Sequence, residues 1–267
     1  MFRRVTFFLA LLWTAPAFAG AFMQPPQHGQ IIAQFGFAEA GRAYDSYGRS
    51  IPIAAWRKFE LSGYGEYGLT DWLTVVGSPS WFSFRAPTPR PTNYFGPLGS
   101  QTYARPGVAE AGARVRVYEW GDNIVSAQAT LRHAAGGGAS EPFVDMGRRV
   151  QADVRLLYGR KFTLLGLSGY MDTAVAFRSK GPFGNQARFD ATLAVQPFAR
   201  TMLMVQSFTA ITPGRLGGGF ALSQKAQASI LFDVTDSLTL QAGALIGLRG
   251  VRSAAEKGLV TGVWWKF

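Results

Sequence analysis

Ionisable side chains in this chain recur at every second position through apolar stretches, and that spacing limits the chemistry they can do. Lys58, Glu60 and Glu66 alternate with Phe59, Leu61 and Tyr67. Glu110, Arg114 and Arg116 alternate with Val115 and Val117, Arg132 follows Leu131, and Asp153 and Arg155 interleave with Val154 and Leu156. Asp172, Arg188, Asp190 and Lys225 fall in the same pattern, and Gln128, Gln196, Gln206, Gln227 and Gln241 share its polar side. Successive side chains of a strand point to opposite faces, so each of these stretches has one polar and one apolar face. Acids and bases brought together on such a face can pair with one another, line a wet passage for charged solutes, or transfer protons where carboxylates meet.

Catalysis has little to work with. A serine-type centre needs a base beside its nucleophile, and the chain has His28 and His133 alone for an imidazole. His28 precedes the first expected strand, and His133, next to Arg132, takes the opposite face. Asp153, Asp172 and Asp190 on successive polar faces leave acid/base hydrolysis of lipid or peptide open as an alternative. Nothing in their spacing separates that from ion pairing. With no cysteine, thiol chemistry and thiolate metal sites are absent. No metal-spaced histidine cluster and no glycine-rich phosphate loop occurs, so no catalytic residue, metal or cofactor is expected. The net charge of +11 is spread along the whole chain, whereas nucleic-acid binders cluster it, and no nucleic-acid partner is expected.

Strands must carry these faces. Alternation and turn residues predict Gln30–Ala40, Trp56–Leu69, Trp72–Phe84, Gly107–Tyr118, Asn123–His133 and Arg148–Tyr158. The second half continues with Lys161–Arg178, Ala187–Pro197, Thr201–Ile211, Phe220–Val234, Leu238–Arg249 and a closing strand ending at Phe267. About twelve strands, an even number, put both termini on one side. Tight turns fall on that side, among them Thr70-Asp71, Gly121-Asp122 and Gly159-Arg160. Longer connections fall on the other: Gly41–Ala55, the proline-rich Arg85–Ala104, the glycine-rich Ala134–Gly147, and three shorter ones. Charged residues make up 16% of the chain, against about 25% in soluble proteins, too few to cover a fully solvated surface. An outer face against lipid accommodates that. Beyond the N-terminus no apolar run is long enough for a membrane helix, and only helices and closed sheets satisfy every backbone group in hydrocarbon. The expected fold is therefore an all-β, antiparallel, up-and-down transmembrane barrel, with a soluble two-sheet sandwich as the alternative. Turning Arg114 or Arg116 towards the membrane midplane would cost about 2 to 4 kcal/mol each, so the polar faces line the lumen.

Arg3-Arg4, the short apolar run Val5–Trp13 and Ala17-Phe18-Ala19 read as a secretory leader cleaved after Ala19, leaving 20–267 as the barrel. Leu259, Thr261, Val263, Trp265 and Phe267 share one face of the last strand, opposite Gly258, Gly262 and Lys266. This ending resembles the closing strand of bacterial outer-membrane β-barrels. The resemblance implies that Trp265 and Phe267 form an assembly signal, that the barrel-assembly machinery, membrane lipid and lipopolysaccharide are partners, and that the chain resides in the outer membrane of a Gram-negative-type envelope. Turns face the periplasm and loops the exterior. Glu66-Tyr67-Gly68-Leu69-Thr70-Asp71-Trp72-Leu73-Thr74, with Glu110-Ala111-Gly112-Ala113-Arg114-Val115-Arg116, resembles a hairpin and the next strand of the phenol meta-pathway outer-membrane transporter group. That implies a channel taking up small solutes. Lumenal Arg and Lys would favour anions, while ion pairs that plug the lumen would leave a structural barrel. Trp56, Trp72, Trp81, Tyr118, Trp120, Tyr158, Trp264 and Trp265 fall near strand ends, where interfacial aromatics belong.

Overall fold

The computed structural model describes residues 20–87, 100–134, 150–180, 185–214 and 219–267. The leader segment, Pro89, Pro91 and Pro97, and nearly all of the glycine-rich connection lie outside the described residues. Strands run β1 Gly29–Tyr44, β2 Ser50–Thr70, β3 Leu73–Pro87, β4 Ser100–Trp120, β5 Asn123–Ala134, β6 Val150–Leu164 and β7 Leu167–Ser179. They continue as β8 Gln186–Phe198, β9 Thr201–Thr212, β10 Ala221–Asp233, β11 Leu238–Val251, β12 Ser253–Ala254 and β13 Lys257–Lys266. Each pairs antiparallel with its sequence neighbour, except that the short β12 pairs with β1 and β11 pairs with β13. β1 closes the sheet by pairing with β2 on one edge and β13 on the other. β12 and β13 together make one interrupted wall strand, so the result is a closed twelve-stranded antiparallel barrel.

Closure inverts the usual distribution of polarity. Ile31, Phe35, Leu131, Val154, Leu156, Val175, Phe177, Val205, Ile230, Leu240, Ile246 and Val263 are exposed on the outer face. Their strand neighbours Gln34, Arg132, Asp153, Arg155, Arg178, Gln206, Ser229 and Gln241 are buried inside. A greasy exterior around a polar interior suits hydrocarbon as the outer solvent.

Both ends of the barrel chain meet on one rim, where Gly29 N donates to Phe267 O at 2.8 Å and Phe267 N to Gly29 O at 3.0 Å. The reversals on this rim are tight, at 71–72, 121–122, 165–166, 199–200 and 234–237. One of them corrects the sequence reading. The chain does not turn at Gly159-Arg160 but runs on to Leu164 and reverses at Leu165 (φ 51°) and Gly166 (φ 79°), both left-handed as a two-residue type I′ hairpin requires. Gly159 serves close approach instead, since a Cβ there would stand 2.9 Å from the Ala21 Cβ inside the barrel.

On the opposite rim the strands reach further than alternation suggested. The connection expected over Gly41–Ala55 is mostly strand and reverses between Tyr44 and Ser50, where Asp45 Oδ1 accepts the N–H groups of Tyr47 (2.8 Å) and Arg49 (2.9 Å). Pro106, expected at a loop, lies within β4 opposite Trp81, beside a register shift between Pro79 and Trp81. Irregular pairing there tolerates the missing proline donors, and Ser80 Oγ accepts the Val108 N–H at 2.8 Å. The lead-in expected over Gly250–Ala254 is a tight reversal at Arg252 (φ 49°), so this rim also holds one short connection.

The outer face yields a direct expectation. Leu156→Arg, which puts a guanidinium on the lipid side of β6, should lower stability by about 2 to 4 kcal/mol if it lies near the midplane. Reversible urea unfolding in lipid vesicles measures the loss, and Ser229→Thr on the inner face should leave the midpoint nearly unchanged.

Candidate functional site: the barrel lumen

Among the described residues, most charged side chains inside the barrel gather into three groups. The largest spans β4 to β8. Asp153 sits at its centre, 2.6 Å from Arg155 Nε and 2.9 Å from Arg178 Nε, with Arg188 Nη1 at 3.8 Å. Glu110 meets Arg132 at 3.1 Å and Arg178 at 3.5 Å, and Asp190 meets Arg188 at 3.1 Å. A second group lies across the lumen, where Lys58 pairs with Glu60 at 2.8 Å and Lys225 with Glu256 at 2.6 Å. Glu256 sits at the break between β12 and β13.

The third group lies near the rim of tight turns and holds a segment that does not belong to the wall. Residues 20–24 lie inside the lumen ahead of β1, and 25–28 follow, exposed along the rim. Ala21 is fully buried; its N–H donates to Asp172 Oδ1 at 2.9 Å and its carbonyl accepts from Ser126 Oγ at 2.5 Å. Arg114 Nη1 donates to the Gly20 carbonyl, while Arg114 Nη2 lies 2.5 Å from Glu66 Oε2. Glu66 also accepts from the Tyr64 hydroxyl at 3.0 Å and from the Gln24 side chain. Gln24 N donates to Thr74 Oγ1 at 3.2 Å, and the Phe22 ring meets the Tyr170 ring edge-on at 6.2 Å. Gly68 lets the segment lie flat on β2, for any side chain there would collide with the Pro25 carbonyl.

Beside this segment a cavity of about 580 Å³ remains. It runs from Lys266, Asp233 and Thr239 near the rim, past Phe22, Tyr170, Met202 and Trp264, to Arg155 and Asp190 in the arginine group. The segment thus narrows the lumen on one side, and the cavity lies on the other, lined mainly from β6 to β13.

Of the residues singled out by alternation, Glu60, Glu66, Arg114, Arg132, Asp153, Arg155, Asp172, Arg188 and Lys225 are buried within the barrel. Lys58, Glu110 and Asp190 reach the same interior less completely. Arg116 is set apart, half-buried near the rim and paired with Glu119. His28 lies on the rim with Nδ1 2.9 Å from Pro26 O, and His133 is exposed on the outer face, so neither meets the lumenal aspartates. Two aromatics expected at the interface turn inward: Trp56 is buried against Phe84, and Trp264 Nε1 donates to Gln241 Oε1 at 3.0 Å. Arg178, Lys180 and Glu256 are among the buried charges that alternation did not single out. Arg178 keeps step with Asp172, so parity carried to the end of its strand would have found it. Glu256 interrupts a strand, and the insertion of 20–24 had no periodic signal at all.

These features define a transmembrane β-barrel of the fold found in bacterial outer membranes. No protein-family model and no curated protein matches the chain. Solved structures do. It is similar to the COG4313 outer membrane channel from Pseudomonas putida F1, with a TM-score of 0.68 and 14% identity over 92% of this chain and 98% of that one. It also resembles the NanC porin, with a TM-score of 0.54 and 8% identity over 89% of this chain and 100% of that one. At such identities the likeness is one of fold.

The Glu66–Arg114 pair lies in full burial, where removing one partner strands the other charge. Arg114→Ala should cost about 3 to 5 kcal/mol, and Arg114→Met combined with Glu66→Leu distinctly less. Urea midpoints of the two variants give the comparison.

Proposed function

We propose that this protein is an outer-membrane channel for small polar solutes, passing anions ahead of cations. The arginine group carries the reading. Arg132, Arg155, Arg178 and Arg188 outnumber Glu110, Asp153 and Asp190 along one wall, and the cavity beneath opens onto Arg155 and Asp190. In a narrow wet passage between low-dielectric walls, an excess of fixed positive charge attracts anions. Pairing with carboxylates on the same and neighbouring strands holds each guanidinium in place. The hairpin Glu66–Thr74, through its resemblance to the phenol meta-pathway transporter group, supports uptake of small molecules, and the fold shared with outer-membrane channels agrees. A hydrolytic role draws no comparable support, because neither histidine lies near the lumenal aspartates and two of these, Asp153 and Asp190, are paired with arginines.

Delivery to the membrane follows from the same reading. The leader is removed after Ala19, and the barrel-assembly machinery reads the closing strand before the protein settles among phospholipid and lipopolysaccharide. Trp265 and Phe267 stand 50% and 45% exposed on the outer face, open to such a reader. Deleting Phe267 should reduce the amount of folded barrel in the outer membrane while leaving export intact. Heat-modifiable gel mobility of membrane fractions distinguishes the two.

Conductance tests transport. The refolded protein in planar bilayers should give single channels whose reversal potential in a salt gradient favours the anion. Arg188→Glu should move that potential towards the cation. An inserted, folded barrel that stays silent, or a preference that ignores Arg188, overturns the reading.

A further inference from the structure

The pocket that receives residues 20–24 is short of one positive charge. Glu66 on β2, Arg114 on β4 and Asp172 on β7 converge on Gly20 and Ala21. The Arg114 guanidinium is committed to Glu66, at 2.5 Å. Asp172 accepts a neutral donor, the Ala21 N–H, and among the described residues no Lys or Arg side chain forms an ion pair with it. Lys161 directs its ammonium to the Phe22 ring, 5.4 Å from the centroid. The Tyr64 and Tyr170 hydroxyls nearby are neutral donors, the first to Glu66 and the second to Met204. Two buried carboxylates therefore share a single guanidinium, and a buried carboxylate without a counter-ion is strongly disfavoured.

The missing cation is in the chain itself. Gly20 lies against Asp172, so closely that a Cβ on it would stand 3.1 Å from Oδ2. Within a longer chain its nitrogen is a neutral amide. Hydrolysis of the Ala19–Gly20 bond adds water across that amide. Ala19 leaves with the new carboxylate, and Gly20 keeps an amine that takes up a proton at neutral pH.

We propose that the α-ammonium of Gly20, created by leader removal, binds the Asp172 carboxylate inside the barrel and pins residues 20–24 in the lumen. One guanidinium and one ammonium then face two carboxylates, and the pocket is neutral. The lumen takes its final shape only in the processed protein. Glycine suits this position because a larger first residue would press on the carboxylate that must hold its nitrogen. The inference rests on cleavage after Ala19 and is independent of what the barrel transports.

Amine labelling tests it. The protein is extracted from the outer membrane of expressing cells and treated briefly with acetic anhydride near neutral pH, and acetylation of its N-terminal peptide is followed by mass spectrometry. The wild type should begin at Gly20 and label slowly. In Asp172→Asn, which keeps an acceptor for the Ala21 N–H but removes the charge, labelling should rise about tenfold, the change expected when an amine pKa falls by one unit. Ser126→Ala, which removes a neutral bond to the same segment, should label as the wild type does. Should Asp172→Asn lose its heat-modifiable mobility and prove unfolded, Asp172→Glu takes its place, with slow labelling retained. An N-terminus other than Gly20, equal rates in wild type and Asp172→Asn, an equal rise in Ser126→Ala, or fast labelling in a folded Asp172→Glu each overturns the proposal.

Discussion

Hydrocarbon offers no hydrogen-bond partner, and that single constraint organises the molecule. Every backbone N–H and C=O in the spanning region must be satisfied by another strand, so the sheet has to close on itself. Closure comes from β1, which pairs with β2 along one edge and β13 along the other, and from the paired ends Gly29 and Phe267. Once the ring is closed, strand pleating divides the side chains into two populations without further instruction. One faces lipid and is apolar, and the other faces an enclosed space and can be polar.

That enclosed space changes what charge can do. In the low-dielectric interior, ions need partners, and most of the lumenal groups find them in three patches, with Asp172 the exception. Asp153 is the clearest case, drawing together arginines from three adjacent strands, β6, β7 and β8. The pairs fix guanidinium groups in place against the wall. Charge held rigidly in this way is what the proposed channel calls for, since a mobile arginine would wander into the path it is meant to define.

The inserted segment adds a second level of order. Its backbone carbonyls and N–H groups, which would otherwise be buried without partners, are taken up by Arg114, Ser126, Asp172 and Thr74. Wall glycines make room for it, Gly159 beside Ala21 and Gly68 beneath Pro25. Polar groups that look like solute contacts in an empty barrel are therefore partly occupied by the chain's own N-terminal residues. The remaining cavity runs along the other side, lined in part by Phe22 of that same segment.

Alternation by itself determined the two faces of each strand and the common side taken by charges such as Arg114, Asp153 and Arg188, because side-chain direction in a strand has a period of two whatever the partner. The barrel followed only when the low charge content, the leader, the aromatic ending and the rhythm of short and long connections were added. The same rule would have carried Arg178 inward from Asp172. Only the tertiary structure decided the rest. Reversal at Leu165-Gly166 depends on two left-handed residues and on Gly159 being needed elsewhere, which no local pattern records. The inward turn of Trp56 and Trp264 depends on neighbours from other strands, Phe84 and Gln241. Which acid meets which base is set by register between distant strands, as with Glu66 and Arg114, and the seating of residues 20–24 by a pocket whose walls come from β2, β3, β4, β5 and β7. Local sequence encodes the direction of a side chain, but partners supplied by distant strands exist only once the ring has closed.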